Sequence, residues 1–193
     1  MILTDKLQKA INLCAELHHG QMRKGRKLPY VVHLFSVAII VSEYTDNEDL
    51  IIAALLHDVF EDTQGYNEED MNKDFGPRVV ACVKTLTEDK DLPWMERKKD
   101  YLERVIASDK ENFLICVADK IHNLNSINRA YLKEVAGQHQ DSEARFKRTK
   151  DFYLTIAKAA SQKLGDHPIV SRLEEAYLRA EKTFNEYLKE LGI

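Results

Sequence analysis

Turn-forming residues are scarce in this chain. Its 193 residues include only 7 glycines and 4 prolines, so few points force the backbone to change direction and long helices are favoured. The cysteines Cys14, Cys82 and Cys116 are odd in number and lack a CxxC spacing, which excludes a disulfide framework and a zinc knuckle. Each sits among apolar residues at helical spacing and reads as a small, reduced core side chain. No apolar run approaches the ~20 residues that a bilayer-spanning helix requires. Excess positive charge is also missing. A formal net charge of −4 gives no global footprint for nucleic acid, although a local basic mouth over an anionic substrate remains open. The first residues, MILTDKLQKAINLCAELH, are amphipathic and charged throughout, unlike a signal peptide, and the expected location is the cytoplasm.

What is present is ordinary for a globular protein: 44% hydrophobic and 31% charged residues. The length suits one domain, 1–193, with a real core. Helical periodicity dominates and no strand-like alternation is sustained, so the expected fold is all-α, a single bundle of about eight to ten helices. Thr4 and Asp5 can cap a first helix that ends near His19-Gly20. The basic loop GQMRKGRKLPY follows, then a second helix over 31–44 with His33 near its start. Asn47 or Thr45 can cap a third, running to about Asp62. Residues 67–74 read as a short helix, and Gly76-Pro77 opens another through Leu86. The segment 87–93 is a loop, WMERKKDYLERVIAS is a charged helix, and Asp109 caps a long helix carrying Asp119. The stretch 136–145 is the candidate mobile connection. Two more helices, roughly 143–164 and 168–191, are separated by Gly165 and Pro168.

The chemistry-bearing feature is the doublet His57-Asp58 at the end of the apolar stretch IIAALLHDVFEDT, with His33 upstream and Asp119 downstream in LICVADKIHN. Two neutral imidazoles and two carboxylates can hold a divalent cation and leave a position for water, whose pKa the metal lowers toward neutrality. On a continuous helix, His57 aligns with Glu61 and Asp58 with Asp62; Asp119 likewise aligns with Asn123, and Ser126 lies seven residues on. Taken singly, each has a plainer reading. His33 is a helix-end or core histidine, Asp58 a partner for His57, and Glu61-Asp62 a pair of solvated helix-end charges. Taken together, acids crowded at a helix C-terminus are opposed by its dipole, and a metal supplies the missing positive charge. Imidazole plus carboxylate suits Mn²⁺, Fe²⁺ or Zn²⁺, and the pattern alone does not choose among them. His18, His19, His122, His139 and His167 have no ligand spacing of their own.

The segments HGQMRKGRKLPYVVH (19–33), AALLHDVFEDT (53–63), FGPRVVACVKTLTEDKDLPWMERK (75–98) and ADKIHNL (118–124) resemble, in order, the hydrolase domain of the RelA/SpoT homologues. The closest likeness is to the small stand-alone alarmone hydrolases of the HD-domain superfamily. It covers about residues 5–165, and no synthetase or regulatory segment is expected in the remainder. The resemblance implies a single HD-type helical domain that removes the 3′-pyrophosphate of ppGpp or pppGpp with one Mn²⁺. By position it implies His33, His57, Asp58 and Asp119 as metal ligands and Glu61 with Asp62 as the water-activating acids. Arg23, Lys24, Asn123 and Ser126 would line the nucleotide, with Arg145 and Arg148 as candidate phosphate contacts. Two positions depart from the pattern: Leu34 stands where the family usually has proline, and Asn125 where it commonly has arginine.

The bases of the basic loop have an independent logic, because a polyphosphate needs compensating cations. GQMRKGRK offers four and MERKK three more, although each run alone reads as solvated surface. Tyr30 reads either as packing against the site, the favoured reading, or as an anchor for the loop. The expected partner is a small guanosine nucleotide, not a membrane or nucleic acid. Two rival readings keep the scaffold: hydrolysis of another nucleotide phosphate, such as the 2′-phosphate of NADPH or a pyrophosphorylated RNA end, and a non-catalytic nucleotide sensor. Retention of Glu61 and Asp62 argues against the sensor, since a binder needs no water-activating pair.

Overall fold

The computed structural model describes residues 2–137 and 142–192, in eleven helical segments with no β-sheet among the described residues. The all-α expectation holds. The chain divides into two compact units, one formed by residues 1–21 and 29–118 and the other by residues 22–28 and 119–193.

In the first unit α1 (Asp5–Leu17) starts where the Thr4 hydroxyl accepts the Leu7 N–H, satisfying one of the helix's orphan donors. Two apolar helices follow, α2 (Val31–Ser42) and α3 (Glu48–Leu56). Asn47 caps α3 through its side chain, as expected. Every residue of α3 from Leu50 to Leu56 is buried, which marks a helix enclosed on all sides; it packs against α1, α2 and α6. One helical turn, α4 (Val59–Asp62), precedes α5 (Glu68–Phe75), which opens with a reciprocal capping box between Asn67 and Asp70. Next come α6 (Pro77–Leu86), with proline at its first position where the missing N–H costs nothing, and α7 (Trp94–Ala107). The helix α8 (Lys110–Ser126) begins where Asp109 accepts the Asn112 N–H.

One expectation is corrected here. The third helix does not run on to Asp62: α3 ends at Leu56, and His57-Asp58 form a turn before α4. The cause is local. His57 Nδ1 donates to the Ala54 carbonyl at 2.7 Å, taking the acceptor that the Asp58 amide would use in an unbroken helix. Asp58 then adopts φ −97°, ψ 0°, the bridge region where many site residues sit.

In the second unit α9 (Arg129–Gly137), α10 (Ser142–Leu164) and α11 (Pro168–Glu190) follow α8. Helix α9 was not anticipated, although Asn128 accepts the Tyr131 N–H at its start and Leu132 and Val135 form a buried stripe. Of the connection expected at 136–145, residues 138–141, including His139, lie outside the described residues. Phe146 near the start of α10 meets Phe184 near the end of α11, ring centroids 5.6 Å apart, so these two helices run antiparallel. Ile156, Ala160, Leu173, Ala176 and Ala180 complete their buried seam. Among the described residues no helix is long and apolar enough to cross a membrane.

Candidate active site

The break after α3 delivers His57 and Asp58, while the first turn of α2 delivers His33. Both histidines are buried, at 1% and 3% exposure for His33 and His57. Each of the three residues offers one ligand atom, and these atoms all lie within 4.8 Å of one another. Asp58 Oδ2 is 3.3 Å from His57 Nε2 and 3.7 Å from His33 Nε2. Because a carbonyl can only accept, the Ala54 contact fixes the His57 proton on Nδ1 and turns the Nε2 lone pair toward Asp58. That is the tautomer a ligating histidine needs, with its other nitrogen tied to a backbone carbonyl. The donor set therefore fits a divalent cation.

A polar and aromatic layer supports these three. Tyr30 stacks on His18 at 5.5 Å, meets His33 edge-on at 5.6 Å, and donates its phenol proton to Asp58 Oδ2 at 2.7 Å. His18, itself 2% exposed, contacts the Gln21 side-chain oxygen through Nδ1 at 2.8 Å, and the Gln21 amide donates to the Asp62 carbonyl at 2.7 Å. Tyr30 thus does pack against the site. The sequence offers His18 as a histidine able to reach toward the site but without ligand spacing, and Gln21 as a member of the basic loop, and it assigns a supporting role to neither.

Glu61 and Asp62 also lie in this unit, but the turn at His57-Asp58 removes the continuous helix on which they were expected to stack. Instead Glu61 Oε1 accepts the Glu88 N–H at 2.6 Å, and the Asp62 carboxylate pairs with Lys90. Burial pushes the Glu61 carboxyl up to about 7, and the nearby Asp58 charge adds to this, while the Glu88 N–H and Lys90 pull the other way. A carboxyl poised there can exchange a proton near neutral pH.

The second unit holds the other expected residues. Arg23 donates to Asn123 Oδ1 at 2.9 Å, Asn123 Nδ2 donates to Asp119 Oδ1 at 2.5 Å, and Lys120 pairs with Asp119 Oδ2 at 2.5 Å. Asp119 and Lys120 are both buried. Lys24 is exposed on the basic loop, Arg145 is half-buried and Arg148 exposed on α10. The Ser126 hydroxyl donates to the His122 carbonyl one turn back. Asn125, at the position where the resemblance leads one to expect arginine, accepts from Arg179 at 3.1 Å. Of the MERKK cations, Arg97 and Lys98 are spent on Glu88 within the first unit, a different use from the phosphate compensation considered for them.

Residues 10–158 match the model of an HD domain, and the chain belongs to the HD-domain family. It is 38% identical over 125 residues to guanosine-3′,5′-bis(diphosphate) 3′-pyrophosphohydrolase MESH1 of Drosophila melanogaster, covering 63% of this chain and 69% of that one. The protein of the same name from Danio rerio is 39% identical over 130 residues, covering 65% and 71%. Among solved structures, one described as a metazoan ortholog of SpoT that hydrolyzes ppGpp superposes with a TM-score of 0.78 at 29% identity, over 93% of this chain and 97% of that one. Membership of the HD family implies a divalent metal, which agrees with the donor set of His33, His57 and Asp58.

Proposed function

We propose that this protein is a metal-dependent hydrolase that removes the 3′-pyrophosphate of ppGpp and pppGpp, giving GDP or GTP and pyrophosphate. The observation that carries this reading is the convergence of His33, His57 and Asp58 in a chain whose relatives bear that activity in their names. Mn²⁺ is the metal assigned here. Asp119 is assigned as a fourth ligand from its place in the His33, His57-Asp58, Asp119 order of the sequence. The cytoplasm is the compartment this reading expects.

A divalent cation bound there supplies Lewis acidity at the pyrophosphate and acidifies water. The chain's own residues do the rest. Glu61, its carboxyl held near neutrality by burial, takes the proton from the attacking water, and Asp62 orients that water. Water adds to the phosphorus bonded to the 3′ oxygen; the bond from that phosphorus to the 3′ oxygen breaks, and the oxygen leaves with a proton. Arg23 presents a planar guanidinium able to meet phosphate in a bidentate manner or stack on the base. Lys24, Asn123, Ser126, Arg145 and Arg148 are assigned to the nucleotide with it.

The test is product analysis after incubation with ppGpp and Mn²⁺, with NADPH in parallel. GDP and pyrophosphate in equal amounts support the reading. Release of inorganic phosphate from NADPH, with ppGpp untouched, refutes it in favour of another nucleotide phosphate.

A further inference from the structure

The acids of α4 stand on a helix of four residues, and a single turn has little stability of its own. Their orientation must come from a neighbour, and the neighbour is the segment 87–90. The Glu88 N–H donates to Glu61 Oε1 at 2.6 Å. Two residues on, Lys90 Nζ donates to the Glu61 carbonyl at 3.0 Å and to the Asp62 carboxylate. One short segment thus grips a side chain, a carbonyl and a second side chain of the acidic pair.

That segment is itself fixed by α7. Arg104, bound to Asp100 one turn back, donates to the carbonyls of Lys84 at 3.1 Å, Thr85 at 2.7 Å and Thr87 at 2.8 Å. It covers acceptors that the C-terminus of α6 leaves open. The Glu88 carboxylate, 11% exposed, is paired with Arg97 at 3.1 Å and with Lys98. Paired charge at that depth holds its partners in one arrangement, since losing either leaves a desolvated charge.

We propose that Lys90 is a positioning residue for the hydrolysis proposed above: together with the Glu88 N–H, and locked in register by Arg97, Lys98 and Arg104, it holds Glu61 and Asp62 in the orientation that serves the attacking water. This inference rests on that reading of function. The plainer account is a surface salt bridge worth little. Against it stand the added bond from Lys90 to a main-chain carbonyl and the buried anchor two residues away. The second rival is that Lys90 contacts substrate phosphate.

The experiment compares Lys90→Met and Lys90→Arg with wild type in the full chain with Mn²⁺, measuring kcat, KM for ppGpp and the melting temperature. Lys90→Met is expected to lower kcat by roughly 10–100-fold, the scale of a small misplacement of reacting groups, with KM and melting temperature nearly unchanged. Lys90→Arg restores most of the rate. A higher KM at unchanged kcat makes Lys90 a substrate contact and overturns the proposal, as does an unchanged kcat. Equal losses of rate and thermal stability without rescue by arginine reduce Lys90 to a structural role. Amide hydrogen exchange at Glu88 gives an arm independent of substrate: faster exchange in Lys90→Met supports the tether, and unchanged protection overturns it. If wild type turns over no ppGpp, the functional reading fails, while this arm still decides the positioning role.

Discussion

Tyr30 and Asp58 are joined by a hydrogen bond of 2.7 Å, the phenol donating to Oδ2, the oxygen that also faces His33 and His57. The tyrosine that ends the basic loop therefore sets the rotation of a carboxylate in the cluster of His33, His57 and Asp58 that could hold a metal. Tyr30→Phe keeps the ring against His18 and His33 but removes the donor. Partners of this kind typically cost about 10–100-fold in metal affinity when lost. Chelator competition should show a drop of that size with the melting temperature of the apo protein little changed. Wild-type affinity in the variant would mean that Asp58 needs no help from Tyr30.

The raised carboxyl of Glu61 predicts the acid limb of activity. Burial, with the Asp58 charge second, pushes it up to about 7, so below that pH the group holds its proton and cannot accept another. The rate kcat/KM should rise with pH through an acid limb above the ordinary carboxylate range. As metal saturates Asp58, the contribution of that charge falls and the limb should move to lower pH, leaving the effect of burial. Glu61→Gln should lose the limb and roughly 10²–10⁴ of turnover, the range for an acid–base group. A Gln variant with a wild-type pH–rate profile would transfer the role elsewhere.

Much of the fold was legible because punctuation is sparse and each mark is informative. Thr4, Asn47, Gly76-Pro77 and Asp109 all begin helices where expected, since capping is a short-range chemistry written into the residue itself. The break at His57-Asp58 was not legible. Periodicity shows a continuous apolar face, whereas the break depends on which acceptor the His57 ring finds in three dimensions. The same limit applies around the acids. His33, His57 and Asp58 could be grouped because ligand types are few and their order is specific, but Glu88 and Lys90 are ordinary loop residues until the chain folds them onto Glu61 and Asp62. The fate of Arg97 and Lys98 was hidden for the converse reason: a basic run shows charge without showing which anion it meets.

The cysteines offer a check on the core. Burial pushes the Cys14 thiol up to about 12 and the Cys82 thiol up to about 11, and Cys116 is buried where it receives the Tyr101 hydroxyl at 3.3 Å. Thiolate is the reactive form, so at pH 8 none of the three should react with a thiol-directed reagent in the folded protein. All three should react once it is unfolded. Mass spectrometry of the native protein after alkylation would expose any error, since rapid single labelling is incompatible with this core.

The last expectation concerns the basic loop and separates its conformation from its charge. Gly25 has φ +68°, its N–H donates to Glu134 Oε2 at 2.5 Å, and a Cβ built on it would lie 2.5 Å from the Tyr131 Cα. The backbone of the loop thus lies directly on α9, at a distance only glycine permits. A side chain there forces backbone from backbone, because neither atom belongs to a flexible group. Arg23, two residues earlier, would then be drawn from Asn123, its partner at 2.9 Å. Gly25→Ala should raise KM for the nucleotide in the same direction as Arg23→Ala, with kcat affected less, because a contact made equally in ground and transition states changes binding alone. Gly165→Ala is the control: its φ is +60° but nothing lies within 4 Å of the added Cβ. It bears only the cost of a left-handed L-residue, about 1–2 kcal/mol, as lower thermal stability, with wild-type KM. Should Gly25→Ala bind nucleotide as well as Gly165→Ala does, the close seating of the loop has no part in placing Arg23.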